Sequence, residues 1–398
     1  MTRTALLLGL LIAATSFASG FRLETHHARA AGMGIAVTAL TDDASAIVYN
    51  PAGLAGRKGF DVQAGLTIVL PAVVFTSDTT GVSSQTLTRL STPINLNVAW
   101  GITDDLSIGV GIFNPFGAGA TWPDGWEGRG RALSSNVQTF AFNPTIAYRI
   151  HPRFKIGAGL QILRGTVAIE RALPFIDSEG KVSLGGDAWG VGWNAGVQGT
   201  IVEDRLTFGF TWRSNVPLRF SGRAHFGNVP PEFQSRLADQ PIIASVTMPD
   251  VATVGLGFKA TPRLRVGLDL NVITWSSFRQ LFIDFESKDL DNPLPKRWRD
   301  TMSVHLGAEY DVTNRIQARL GAVYDEAATP TDTLTPDLPD ASRVRFCAGV
   351  GYRFEFGLNL DAGYQFVILV PQASTAPGFS GTYSGSAQVV GLNAGYRW

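Results

Sequence analysis

Cysteine is almost missing from this chain: of 398 residues only Cys347 is one, which excludes an intramolecular disulfide framework and any site built from several thiolates. An excess of charge of either sign is missing too. Lys and Arg number 33 against 33 Asp and Glu, so no broad basic face is on offer to nucleic acid. Charged residues are only 17% of the chain, against roughly 25% in ordinary soluble domains. After position 20 no uninterrupted apolar run approaches the ~20 residues that a membrane-spanning helix needs. What is abundant is Gly, at 44, and aromatic side chains, at 10%.

The amino terminus reads as an export signal over residues 1–18. Arg3 precedes the apolar run Ala5 to Ala14, and Ser16 and Ala18 have the spacing of small residues that a signal peptidase reads, so cleavage is expected after Ala18. An exported chain without a membrane helix is either soluble or a β-barrel.

The pattern from residue 59 onward separates these two. Phe60, Val62, Ala64, Leu66, Ile68 and Leu70 alternate with Asp61, Gln63, Gly65 and Thr67, the period-two pattern of a strand with one oily face. Comparable segments follow through Leu96, Ile108, Phe142, Ile156, Trp193, Phe208, Val254, Leu268, Val304, Leu320, Val350, Leu360 and Leu392, giving fourteen in all. Tight turns such as Thr103-Asp104-Asp105, His151-Pro152-Arg153 and Thr261-Pro262-Arg263 alternate with long connections. An even strand count with short turns at one end and long loops at the other is the layout of an outer-membrane barrel. Aromatic residues form two girdles: Trp100, Tyr148, Phe154, Tyr310, Tyr352, Phe356 and Trp398 beside the short turns, and Trp189, Trp212, Tyr324, Tyr364 and Phe366 beside the long loops. A soluble β-sandwich has no reason to place them so. The expectation is an all-β, fourteen-stranded antiparallel transmembrane β-barrel over residues 59–398, acting as a monomer in the bacterial outer membrane among its lipid and lipopolysaccharide. The final strand, ending in Trp398, resembles the signal by which the barrel-assembly machinery recognises its substrates.

A barrel of about fourteen strands encloses space that must be plugged or must conduct. Residues 19–58 are rich in Ala and Gly, lack sustained alternation, and carry Leu23, Ile35, Val37, Leu40 and Leu54, apolar content that free tails usually lack. They read as a hatch folded inside the lumen. Loops three and four are oily for water-facing segments, with Leu173, Phe175, Leu218, Phe220, Phe226 and Phe233, which suits a groove that captures apolar ligands.

Within the hatch, Asp42-Asp43-Ala44 leads to Asn50-Pro51-Ala52-Gly53. With Gly20-Phe21 at the expected mature start, Asn143-Pro144, the run Gly190 to Gly196 and Gly307-Ala308-Glu309-Tyr310, the order and spacing resemble the FadL family, outer-membrane transporters of long-chain fatty acids and other hydrophobic compounds. The resemblance spans the mature chain. It implies capture of a hydrophobic small molecule on the outer loops, binding in the lumen, and sideways release at a kinked third strand, with no cofactor. Carried onto this sequence, it makes Asn50, Pro51 and Ala52 the hatch motif. Phe21, Leu173, Phe175, Phe220 and Phe226 become ligand contacts, and Arg171 and Arg299 head-group cations. Asn114, Pro115, Phe116 and Gly117 become the lateral gate. Arg171 and Arg299 each have an acidic neighbour, Glu170 and Asp300, that offers a structural ion pair instead. The same fold would serve aromatic hydrocarbons or other apolar solutes. A lipid-modifying enzyme is the rival class, but among His26, His27, His151, His225 and His305 only His305 lies on a strand, and it faces the lumen, where a lipid hydrolase has no use for it. His26-His27 lacks further ligands at useful spacing, so no metal site is expected.

Overall fold

The computed structural model describes residues 20–291 and 293–398; the expected signal peptide over 1–18 lies outside the described residues. Strands one and two are Gly59–Ser77 and Ile94–Gly101. Strand three is in two pieces, Leu106–Phe113 and Gly117–Thr121. Strands four to six are Ser134–His151, Phe154–Pro174 and Glu179–Val202. Strand seven is Leu206–Arg213 continued by Val216–Gly227, and strand eight is Gln240–Met248 continued by Val251–Thr261. Strands nine to fourteen are Leu264–Ile273, Thr301–Asp311, Ile316–Asp325, Arg343–Arg353, Leu358–Ala376 and Phe379–Arg397. Every neighbouring pair is antiparallel, and strand one pairs with strand fourteen from Asp61↔Arg397 to Ser77↔Gly381, which closes the barrel.

Burial is inverted relative to a soluble protein. Leu96, Ile146, Val254, Leu268, Val304, Leu320, Val350 and Leu392 are exposed, whereas Asn97, Asn143, Asn194, Asp269, His305, Glu309, Arg319 and Arg345 are buried. The oily face of each strand therefore meets lipid, and the polar face lines the lumen. At the turn end Phe60 stacks between Trp100 and Trp398, with ring centroids 5.3 and 5.2 Å away. The loop-side girdle changes: strand six starts at Glu179, strand seven continues to Gly227 and strand thirteen to Ala376, so Trp189, Trp212, Tyr364 and Phe366 fall mid-strand rather than beside a loop.

Strands three, seven and eight are each broken, at Asn114–Phe116, Ser214–Asn215 and Pro249–Asp250. Each break reverses which residue parity faces inward. Below it, Ile108 and Ile112, Phe210 and Trp212, and Val254 and Leu256 face lipid. Above it, the even-numbered Ala118 and Ala120, Leu218 and Phe220, and Ile242 and Met248 are buried in the lumen, while Arg219 and Arg223 point outward. Because the side-chain period is two, one irregular step moves an apolar face to the other side of the wall. Leu218 and Phe220 thus belong to the inner face of strand seven, not to a loop as the sequence suggested. The breaks of strands seven and eight are stapled by Asp250, whose carboxylate accepts from Trp212 Nε1 (3.2 Å), the Asn215 backbone N–H (3.1 Å) and Asn215 Nδ2 (3.0 Å).

Arg219 lies inside a strand, and Arg236 is exposed in the segment 228–239 between strands seven and eight. Trypsin added to intact cells is expected to cut after Arg236 and not after Arg153 or Arg205, which occupy the short turns. Cleavage at Arg153 from outside would reverse the orientation.

Residues 20–58 fold within the barrel. The short helix Ala28–Gly32 packs on strands eleven to fourteen, and the 3-10 turn Pro51–Leu54 packs on strands four to six. The glycine richness of the sequence has its explanation here. A Cβ at Gly267 would approach Ala36 O to 2.0 Å, at Gly307 Met33 O to 2.1 Å, and at Gly196 Asn50 Oδ1 to 2.1 Å. Inward-facing glycines leave room for a folded backbone against the wall.

Charge fastens this plug. Arg29 makes two parallel hydrogen bonds to Glu309 of strand ten (3.0 and 3.1 Å), and Glu309 also meets Arg319 (2.7 Å) and Arg265 (2.8 Å). The side chain of Glu309 is fully buried, so these partners are what allow it to remain ionised. Asp269 of strand nine accepts the backbone N–H groups of Val37 (3.0 Å) and Thr38 (2.9 Å).

Candidate functional site: a lumenal cavity, its floor and the broken third strand

The inward-turned apolar faces above the breaks surround an apolar cavity. Its walls come from Val167 and Ile169 of strand five, Phe220 of strand seven and Ile242, Val246 and Met248 of strand eight. Two outer segments roof it. Residues 274–300 contribute Phe278, Leu281 and Ile283, and residues 326–342 contribute Asp337 and Leu338. A concavity lined almost wholly by apolar side chains suits a hydrophobic small molecule.

Phe21 makes the floor. Its ring centroid is 4.5 Å from that of Trp275, 5.6 Å from Trp298, 6.1 Å from Phe278 and 6.2 Å from Phe116. Gly20, at φ +62°, lets the chain enter this cluster, where a Cβ would collide with Trp275 at 2.5 Å. Phe21 is held in place by strand pairing: Gly117 N–H donates to Phe21 O (2.9 Å) and Leu23 N–H donates to Pro115 O (2.9 Å). Residues 21–23 therefore form a short added strand across the break in strand three.

That break is local and well satisfied. Asn114 Oδ1 accepts from the Ile94 N–H (3.0 Å) while its Nδ2 donates to Thr139 O (2.8 Å), and Thr139 Oγ1 accepts from the Phe116 N–H (2.9 Å). Side chains thus stand in for the missing ladder. Pro115 has no N–H to give, and past Asn114 the outer piece of strand three pairs only with strand four among the regular strands. The wall here is held by a few side-chain bonds and by the amino-terminal segment.

The hatch motif has a defined geometry. Asn50 Oδ1 accepts the Ala52 N–H (3.2 Å), starting the 3-10 turn with Pro51 at its first position, and Asn50 Nδ2 donates to Thr38 O (2.9 Å) and to Val197 O of strand six (3.0 Å). One side chain joins two hatch segments to the wall.

The remaining site residues predicted from sequence divide into three groups. Phe21 and Phe220 meet in the cavity. Leu173 and Phe226 pack above it in a second apolar cluster with Val182, Leu184, Ile242 and Phe285, and Phe175 stacks on Phe233 at 5.3 Å in the outer loops. Arg171 lies on the same face of strand five as Val167 and Ile169, one step further out; its Nε is buried with no hydrogen-bond partner. The expected alternative pairing is not made, because Glu170 points to the other face and takes Lys181 at 2.7 Å. Arg299 is exposed and outside the cavity lining, and Asp300 accepts the Ser276 N–H at 2.9 Å.

Sequence reasoning missed Lys296, which is buried and reaches Asp337 at 2.7 Å and Thr335 Oγ1 at 2.8 Å. Burial alone would raise the Asp337 carboxyl, but the ammonium and the hydroxyl hold it below the ordinary carboxylate value. Burial alternates over Lys296, Arg297, Trp298 and Arg299, which turns Lys296 and Trp298 inward and leaves Arg299 outside; the sequence pattern did not mark this, because Arg297 takes a left-handed backbone (φ +47°) in an irregular segment. Glu24, His305 and Asp325 lie close enough to suggest a metal site, with ligand atoms within 4.8 Å of one another. The Arg345 guanidinium is already among them, hydrogen-bonded to Glu24 and 2.9 Å from Asp325, so the arrangement suits a buried guanidinium with two counter-ions.

An oily exterior, a folded plug and an apolar cavity beside a weak seam in the wall define an outer-membrane transport barrel. The family described as "Outer membrane protein transport protein (OMPP1/FadL/TodX)" matches residues 9–398, and the chain belongs to it. Relatives include the 47 kDa outer membrane protein of Pasteurella multocida, 26% identical over 431 residues with 100% of this chain and 98% of the relative covered. The long-chain fatty acid transport protein of Escherichia coli K12 is 23% identical over 411 residues, covering 92% of each. Among solved structures, a Pseudomonas aeruginosa FadL homologue superposes with a TM-score of 0.86 at 21% identity, covering 95% of this chain and 99% of its own. The toluene transporter TodX of Pseudomonas putida gives 0.79 at 18%, covering 94% and 99%.

Proposed function

We propose that this protein carries hydrophobic compounds, with long-chain fatty acids as the substrate class, from the cell surface into the outer membrane by release through its own wall. The observation that carries this reading is the apolar cavity lying directly over the Phe21 floor and the Asn114–Phe116 break. Ligand is gathered by Leu173, Phe175 and Phe226 at the outer end and enters the cavity against Phe220 and Phe21. Arg171, whose Nε has no hydrogen-bond partner among the described residues, takes the carboxylate. Residues 21–23 then leave strand three, which unseals the floor and the break together, while Asn50, Pro51 and Ala52 keep the rest of the hatch seated on strand six. Relatives named long-chain fatty acid transport protein support the substrate class. The aromatic floor of Phe21, Trp275, Phe278 and Trp298 favours aromatic hydrocarbons as the second reading.

Restoring a regular strand tests the route. With Pro115 and Gly117 both replaced by Val, palmitate uptake by cells is expected to collapse while palmitate binding to the detergent-solubilised protein is retained. Unchanged uptake by a correctly folded double variant would rule out release at strand three.

A further inference from the structure

Beneath the Phe21 floor lies a second, smaller chamber between the hatch and strands three, seven, eight and nine. It touches the break directly through Phe113, Pro115 and Phe116, and unlike the cavity above it is lined by charge: Arg22, Glu24, His26, Arg213 and Asp269. These charges are not equally answered. Glu24 is bound by Arg345, and Arg22 Nη1 lies 2.7 Å from Glu24 Oε1, though without hydrogen-bond alignment. Asp269 is held by two backbone N–H groups of the hatch. Among the described residues Arg213 meets no carboxylate: its Nη1 donates to Asn143 Oδ1 (3.1 Å), its Nη2 to Val48 O (3.0 Å), and the guanidinium lies over the Phe113 ring at 5.3 Å.

Asp269 is not its missing counter-ion. Arg213 is level with Val251 and Ile273 in the ladder, and Asp269 is four residues from Ile273 toward the turns, roughly 13 Å along the strand. Beside Arg213, the buried His26 ring sits 5.1 Å from that of Phe113 and leaves Nδ1 without a partner. The half-buried Arg213 guanidinium is answered only by neutral oxygens, which leaves its charge available to an anion. The vacant side opens on the chamber next to the break.

We propose that this chamber is a second ligand site, in which Arg213 and His26 receive the carboxylate of the transported acid after it leaves the upper cavity and before it enters the lipid. The site takes a single carboxylate with its alkyl chain directed along Phe113 and Phe116 toward the gap. The inference rests on the fatty-acid reading above for its place in transport, but not for its chemistry, since any alkyl carboxylate small enough to enter should bind.

Carboxyl-labelled octanoate and palmitate, each carrying ¹³C at C1, distinguish the two claims by NMR on the full-length protein in detergent. Octanoate is expected to give a bound carboxylate resonance that disappears in Arg213→Gln, with affinity reduced roughly tenfold or more, and persists in Arg213→Lys and Arg171→Ala. Palmitate should give a resonance sensitive to Arg171→Ala. Because Arg213 also ties Val48 of the hatch, a diazirine-bearing octanoate supplies a readout in the unmodified protein, where cross-links should fall on Phe113, Thr253 or Asn271. A palmitate signal that depends on Arg171, with neither an Arg213-dependent octanoate signal nor cross-links in the chamber, would overturn the second site and leave the transport reading intact. The reverse pattern would keep the chamber and remove fatty acids as the substrate.

Discussion

Glu309→Gln is expected to loosen the hatch while leaving the barrel closed. The carboxylate is fully buried and meets three guanidinia, those of Arg29, Arg265 and Arg319. Removing one member of a buried ion pair costs about 3–5 kcal/mol, because the charges left behind are desolvated and unanswered. Arg29 keeps Asp42 and Asp43, and Arg319 keeps Asp361, which places the expected loss toward the lower end of that range. The attachment of helix Ala28–Gly32 to strand ten disappears, whereas the strand ladders are untouched. Amide exchange over residues 28–43 should then accelerate by roughly 10²-fold or more, as expected for a local opening that has lost ~3 kcal/mol. The barrel strands should exchange as before. Unchanged exchange in the hatch would mean that the packing of Ala36 and Met33 on Gly267 and Gly307, rather than charge, seats the plug.

Arg171→Ala should weaken palmitate binding by roughly 10- to 150-fold, the loss of one charged hydrogen bond of about 1.5–3 kcal/mol. Arg171 follows Ile169, the last strand-five residue of the cavity lining, on the same face of the strand, and Lys181 has already claimed Glu170. A head group therefore meets no competing acid on that side chain. Toluene has nothing for a guanidinium to bind and should be held as before. Competition binding of both ligands at neutral pH separates the outcomes. Equal losses for both would make Arg171 a shaper of the pocket, and no loss for either would remove it from the site. Arg299, exposed and outside the cavity, serves as the control: its replacement should leave palmitate binding unchanged.

The barrel was legible from the sequence because lipid and lumen impose opposite demands on alternate residues. Ile108, Val254, Leu320 and Leu392 carry the oily face with Ser, Thr, Arg or Asn nearby on the other, and the structure exposes the first set and buries the second. Legibility ended where that alternation changes sides. In strand seven the even positions Phe208, Phe210, Trp212, Leu218 and Phe220 look like one face, yet the break at Ser214–Asn215 turns the last two into the lumen. A strand leaving the membrane with its apolar side inward reads, in sequence, as an oily loop. The cavity is built from those inverted segments, so its lining was only partly visible. The strand-three break was legible through Asn114-Pro115, since proline announces a missing donor. Its closure by residues 21–23 was not, because it joins positions far apart in sequence through two backbone hydrogen bonds and one bridge that no local pattern encodes. The misplaced cation has a simpler cause: Lys296 and Trp298 share a face that Arg299 does not.

Release through the wall requires residues 21–23 to leave strand three before substrate can pass. Arg22 and Phe116 face each other as an isolated antiparallel bridge, flanked by the Leu23 N–H to Pro115 O and Gly117 N–H to Phe21 O bonds. This is the non-hydrogen-bonded type of pair, with Cα atoms about 4.5 Å apart, a separation that a disulfide can span. In an Arg22→Cys/Phe116→Cys variant on a Cys347→Ser background, palmitate uptake by cells should be abolished under oxidising conditions and recovered on adding reductant. Each single-cysteine control should transport equally in both. Full uptake through the oxidised, cross-linked protein would contradict release at the third strand.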